Sequence, residues 1–165
     1  MQVYTAGPFF NDVQEAHAFA LAQQLRDLGF GVYAPVEEKF REGEPGRGAV
    51  EIFDRNILWM TYSDVCLFQL DYPMTPGCEL HVCDGKEPTP ISLPDMGTVW
   101  ELGFAFALKK WRAVTLIGYY TGPVPKVNLM IAQSLDGIAE NITDVFLPSG
   151  ELNLSALVAY NGKQI

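Results

Sequence analysis

The feature that most constrains this chain is a repeated alternation of short apolar runs with longer segments of helical period, punctuated by glycine and proline. Met1 to Ala6 is short, mostly apolar and stopped by Gly7-Pro8, which predicts a first buried strand ending in a sharp turn. From Asp12 to Leu28 the residues Ala16, Phe19, Ala20, Leu21, Leu25 and Leu28 recur at mixed helical spacings, and Gly29 supplies a stop. Phe30 to Ala34 resumes strand character. Ala49 to Tyr62 recovers helical period through Phe53, Ile57 and Met60, and Asp64 to Leu70 is a continuous apolar run of the kind found in a strand covered on both faces. Met96 to Lys109 is helical and Ala113 to Gly118 is a fourth strand, after which short apolar segments alternate with turns.

Strands that alternate with helices imply a parallel sheet with helices on both faces. The expected fold class is therefore α/β: a single-domain, doubly wound, flavodoxin/Rossmann-like parallel five-stranded sheet spanning 1–165. A chain of 165 residues with 48% hydrophobic and 19% charged residues is large enough to bury one continuous core without disulfides or a structural metal. Two stretches interrupt the pattern. Glu37 to Gly48 carries four glycine or proline residues among charges, and Asp71 to Pro94 carries five prolines, so both are expected as long loops.

Charge and cysteine usage narrow the partners. A net charge of −9 repels a phosphate backbone, which disfavours DNA or RNA but leaves a single nucleoside or nucleotide possible in a pocket. Three cysteines, Cys66, Cys78 and Cys83, form no dense framework, and residues 1 to 6 run straight into strand-like sequence, so a reducing, cytoplasmic setting is expected. No apolar run approaches the roughly 20 residues of a bilayer span, and no membrane partner is expected. Cys78, His81 and Cys83 make a Cys-x-x-His-x-Cys pattern that offers three zinc ligands without an obvious fourth. Surface residues with no special task are the better reading, and neither a metal nor a cofactor is expected.

In a sheet of this kind ligands bind at the carboxyl ends of the strands. The turn Ala6-Gly7-Pro8-Phe9-Phe10, the loop after the second strand and the loop leading to Asp95 and Glu101 all fall there. Two carboxylates, Asp95 and Glu101, lie six positions apart around a helix start. Glu101 is flanked by Val99, Trp100, Leu102, Phe104 and Phe106, an improbable setting for a solvated glutamate. Burial beside apolar groups disfavours the charged form of a carboxyl, so a carboxyl so placed is either paired or used. The plain alternative is that Glu101 lies on the polar side of an amphipathic helix and Asp95 caps its start.

Asp-x-Gly-x-x-x-Glu-x-Gly-x-Ala, at Asp95, Gly97, Glu101, Gly103 and Ala105, resembles the signature of the nucleoside 2-deoxyribosyltransferase family. Val3-Tyr4-Thr5-Ala6-Gly7-Pro8-Phe9-Phe10 resembles that family's first strand and nucleoside-binding turn. Asp54-Arg55-Asn56 with Ser63-Asp64-Val65 resembles its helix and third strand, and Asn128-Leu129-Met130 its Asn-Leu-Met segment. Four short motifs in the right order, from residue 3 to about residue 137, are far more specific than any one of them. The resemblance implies an enzyme that exchanges the base of 2'-deoxynucleosides, with these nucleosides and free purine or pyrimidine bases as its partners. It makes Glu101 the nucleophile that holds the deoxyribosyl group covalently, and Asp95 the group that hydrogen-bonds or protonates the departing base. It puts Tyr4, Gly7, Phe9, Phe10, Asn56 and Gly97 at the nucleoside, although ordinary core packing is an equal expectation for Phe9 and Phe10. It also implies a homo-oligomer in which Asn128 and Met130 reach a neighbouring site.

Three positions depart from the family pattern or extend it. Asn56 stands where some relatives carry an aspartate, Lys39 where relatives place a base-reading glutamine, and the chain continues past Tyr160, near where some relatives end on a tyrosine. Two rival functions stay open at this point. One is a 2'-deoxynucleoside 5'-monophosphate N-glycosidase using the same glutamate, with Lys39, Arg41 and Arg47 as candidate phosphate partners. The other is a non-catalytic nucleotide-binding module.

Overall fold

A computed structural model describes residues 1–38, 48–71, 81–82, 89–90, 94–121 and 128–159. In chain order the elements are β1 (Gln2–Ala6), α1 (Asp12–Asp27), β2 (Gly31–Tyr33), α2 (Pro35–Glu38), α3 (Ala49–Tyr62), β3 (Val65–Gln69), β4 (His81–Val82) and β5 (Thr89–Pro90). They continue with α4 (Met96–Leu108), β6 (Thr115–Tyr119), α5 (Leu129–Ser134), β7 (Gly137–Ala139), α6 (Ile142–Val145) and a single 3-10 turn at Leu154–Ala156. Five strands pair in the order β2-β1-β3-β6-β7, all parallel. The order reverses between β1 and β3, which opens the crevice where such sheets take ligands.

Strand parity sorts the core. Val3, Val65, Leu67, Ile117, Tyr119 and Ala139 point to one face, where Leu21 and Leu25 of α1 cover them. Tyr4, Ala6, Cys66, Phe68, Leu70 and Leu116 point to the other, beneath Met60 of α3 and Leu102 and Ala105 of α4. This double burial is why β3 reads as an unbroken apolar run, every residue of it buried. Helix α1 starts where Asn11 accepts a hydrogen bond from the Gln14 amide and ends at Gly29, whose φ of 91° few side chains tolerate.

Three local features differ from the sequence expectation. Pro35 opens a one-turn helix, α2, in the approach to the first predicted loop, where its fixed φ suits a first helical position. Inside the second predicted loop β4 and β5 pair antiparallel over two residues each, too short for alternation to show. The fifth strand, β7, is three residues long and carries no periodic signal of its own; pairing with β6 defines it.

Candidate active site

Helix α4 is apolar along almost its whole length, and its single ionisable side chain is Glu101. The helix crosses the face of the sheet on which Tyr4 lies, and the Tyr4 hydroxyl donates a 2.6 Å hydrogen bond to Glu101 Oε1. Tyr4 is fully buried in the middle of β1, while Glu101 keeps some access to solvent. Loss of hydration pushes the Glu101 carboxyl up to about 7; the Tyr4 hydrogen bond pulls it down and the charge of Asp95 pushes it further up. Burial, and then the neighbouring Glu101 charge, hold the Tyr4 phenol well above its ordinary range, so Tyr4 remains a neutral donor. The outcome is a carboxyl divided between its two protonation states near neutral pH, with one oxygen already oriented.

Asp95 occupies the N-cap of α4. Its Oδ2 accepts from the Thr98 amide at 2.8 Å and from the Thr98 hydroxyl at 3.1 Å. Capping is thus one of its tasks, and it leaves Oδ1 available to a ligand or solvent. Gly97 lies alongside: a Cβ at that position would come within 3.0 Å of Asp95 Oδ2. The glycine keeps the capping carboxylate uncrowded. The cap and the helix together bring the two carboxylates predicted from sequence close enough for their charges to interact.

A row of aromatic rings runs from Tyr4 across the adjoining strand. Register pairs Tyr4 with Tyr33, and their rings stack with centroids 5.8 Å apart. Tyr33 stacks in turn on Trp59 of α3 at 5.1 Å, and its hydroxyl donates to Asn56 Oδ1 at 3.2 Å. Asn56 is half-buried and belongs to the same constellation as Tyr4 and Glu101 through Tyr33. Tyr33 is the residue that motif reading misses. Its one sequence signal is an aromatic at the end of a strand, in phase with Tyr4.

The turn after β1 divides. Gly7 lies against Gln69, where a Cβ would come within 3.0 Å of the Gln69 side chain. Phe9 packs beside Ala22, Ala34 and Val36 and borders a cavity of about 20 Å³, room for one water rather than a base. Phe10 is 65% exposed and stacks on Phe9 at 6.0 Å. Below the turn, Gln69 accepts from the Tyr119 hydroxyl at 3.2 Å, and His17 lies 3.3 Å from the same hydroxyl.

Asn128 and Met130 are at the surface at the start of α5. Asn128 caps that helix by accepting from the Met130 amide at 2.8 Å, and Met130 is 74% exposed. Neither makes a described hydrogen bond with Glu101. Lys39, Arg41, Arg47, Cys78, Cys83 and Tyr160 lie outside the described residues, as does the His81 side chain. Among the described residues no group of three His, Cys, Asp or Glu could hold a metal ion, and no helix is long and apolar enough to cross a membrane.

A sequence model of the family described as nucleoside 2-deoxyribosyltransferase matches residues 3–134. Among solved structures, a 2-deoxyribosyltransferase from Bacillus psychrosaccharolyticus is similar over 97% of this chain and 99% of that one, with 26% identity and a TM-score of 0.64. A conserved protein from Enterococcus faecalis shares the fold at 21% identity and a TM-score of 0.52, over 94% of this chain and 83% of its own. A 2-desoxiribosyltransferase from Leishmania mexicana does so at 21% and 0.50, over 99% of this chain and 88% of its own. Among curated proteins none is similar enough in sequence to count as a relative.

Proposed function

The chain belongs to the nucleoside 2-deoxyribosyltransferase family, and from that premise we propose that it exchanges the base of 2'-deoxynucleosides by a retaining double displacement on Glu101. The observation that carries the proposal is the buried Tyr4 hydroxyl holding one oxygen of a glutamate whose carboxyl lies near 7, on a helix otherwise without ionisable side chains. A glutamate in that state is available as a carboxylate at neutral pH and is poorly hydrated, which suits a nucleophile.

In the first step a Glu101 oxygen bonds to C1' of the sugar as the bond from C1' to the base nitrogen breaks, through a transition state with oxocarbenium character. As the base leaves, a proton drawn from solvent reaches its nitrogen through Asp95, so that it departs neutral. In the second step a different base nitrogen attacks C1', its proton returns to Asp95 and the glutamate is released; two inversions keep the β configuration. Tyr4 stays on the same carboxylate throughout and sets which oxygen faces the sugar.

Mixing the protein with a 2'-deoxynucleoside and a second free base should yield the exchanged nucleoside. Release of deoxyribose at a rate indifferent to the second base would make the protein an N-glycosidase, and no turnover would favour a binding module. We further propose that the active unit is a homo-oligomer. Support comes from an apolar surface across α3, α4 and α5, where Phe53, Met96, Trp100 and Met130 are all exposed. Light scattering that returned the mass of one chain at assay concentration would refute this second proposal.

A further inference from the structure

Asp71 follows β3 at the carboxyl edge of the sheet and is only 8% exposed, a carboxylate largely removed from water. Its Oδ2 accepts from the Thr121 amide at 2.7 Å and from the Thr121 hydroxyl, whereas Oδ1 is buried and accepts no hydrogen bond among the described residues. Among those residues no lysine or arginine pairs with it either. Asp71 is in phase with Val65 and Leu67, on the face of the sheet that α1 covers, and so is turned away from Tyr4 and Glu101. Its charge acts there on His17 and Tyr119. Burial holds the His17 imidazole below its ordinary range in spite of Asp71, so the ring is not a counter-ion at neutral pH. A buried carboxylate without a cation, and with one oxygen unpartnered, is costly unless a ligand supplies both.

A cavity of about 300 Å³ lies between α1 and the carboxyl ends of β6 and β7. Its wall includes His17 and Gln24 of α1, Tyr119 and Thr121 at the end of β6, and Glu140 after β7. Thr121 ties Asp71 to this wall through its amide and hydroxyl. Among the described residues the wall carries a second carboxylate and aromatic rings, and no lysine or arginine. Such a lining repels phosphates and other anions; it suits a cation that also donates hydrogen bonds and can lie against an aromatic face. The volume is far more than a bare metal ion fills and is that of a small organic ligand. We propose that this cavity is a second ligand site, taking a small protonated amine whose ammonium group donates to Asp71 Oδ1. The site is on the opposite face of the sheet from Glu101 and requires nothing of the exchange reaction.

The test titrates the full chain with n-butylammonium chloride at neutral pH, read by calorimetry and by NMR of the His17 ring. The parent should bind saturably with Kd on the order of 1 mM, and the His17 signals should move along the same curve. The neutral analogue 1-butanol should not bind at these concentrations. Asp71→Asn keeps the shape and an acceptor for Thr121 but loses the charge, and should weaken binding about tenfold or more. His17→Lys supplies an ammonium group from the wall itself, at a half-buried position where folding is not at stake, and should weaken binding in the same way. Glu101→Ala should bind the amine as the parent does. Absence of saturable binding by the parent, or undiminished affinity in Asp71→Asn or in His17→Lys, would overturn the inference. So would loss of binding in Glu101→Ala, which would place the amine among the carboxylates of the other face, or displacement of the amine by equimolar potassium chloride.

Discussion

Replacing Glu101 with glutamine should stabilise the folded protein, and do so only above acidic pH. Burial raises the carboxyl from 4.5 to about 7, so between those values the folded chain keeps a proton that the unfolded chain has released. The contribution of this group to stability is full below about pH 4.5, falls as pH rises through 7 and stays low beyond it. At about 1.4 kcal/mol per pH unit the whole change is about 3 kcal/mol, and solvent reaching the half-buried side chain lowers it to about 1–2 kcal/mol. Glutamine has nearly the same shape, accepts the Tyr4 hydrogen bond and carries no charge at any pH. Urea unfolding of parent and variant should therefore give nearly equal stability at pH 4 and an advantage to the variant of about 1–2 kcal/mol at pH 8. A constant difference across that range, or a variant less stable at pH 8 than at pH 4 relative to the parent, would refute the claim that Glu101 is a desolvated carboxyl.

Tyr4→Phe removes the one contact that lowers the Glu101 carboxyl, so the acidic limb of kcat/KM should move from about 7 to higher pH; movement to lower pH would contradict the assignment. Asp95→Asn retains a good N-cap but has no proton to give, so exchange should collapse while stability stays within about 0.5 kcal/mol of the parent. Asp95→Ala should lose both activity and about 1 kcal/mol of stability, read from the same urea titrations. Arg112 donates through its guanidinium to the Thr61 and Ser63 carbonyls at the end of α3, so Arg112→Ala should cost about 1–3 kcal/mol with kcat unchanged.

The architecture is legible wherever an element is long and two-sided. The unbroken apolar run of β3, the periodic α1 with Gly29 at its end and the strand-helix alternation together state a parallel sheet, and the five-stranded order follows that pattern. The short elements α2, β4, β5, β7 and α6 are not legible, because they are too short for a period, whereas β2, only three residues long, is legible through the apolar run Phe30 to Ala34 around it. In the site, Asp95 and Glu101 stand out because charge in an apolar segment demands an explanation. Which of the two plain readings of the pair would hold does not follow from spacing: Asp95 does cap the helix, whereas Glu101 is drawn to a tyrosine 97 positions away. Tyr33 is invisible for the same reason, since strand register, which sequence period does not supply, is what sets it between Tyr4 and Asn56. Phe9 and Phe10, neighbours in the sequence, stack on each other yet differ in burial: Phe9 packs against the α1 side, whereas Phe10 is mostly exposed.

The most direct test is covalent. Incubated with a 2-fluoro-2-deoxynucleoside, whose fluorine slows the oxocarbenium-like steps, the native protein should gain the mass of one fluorodeoxyribosyl group per chain. Peptide mapping should place that mass on Glu101, and a second free base should discharge it. Attachment to any other residue, or turnover of the natural substrate by Glu101→Ala at the parent's rate, would contradict the account.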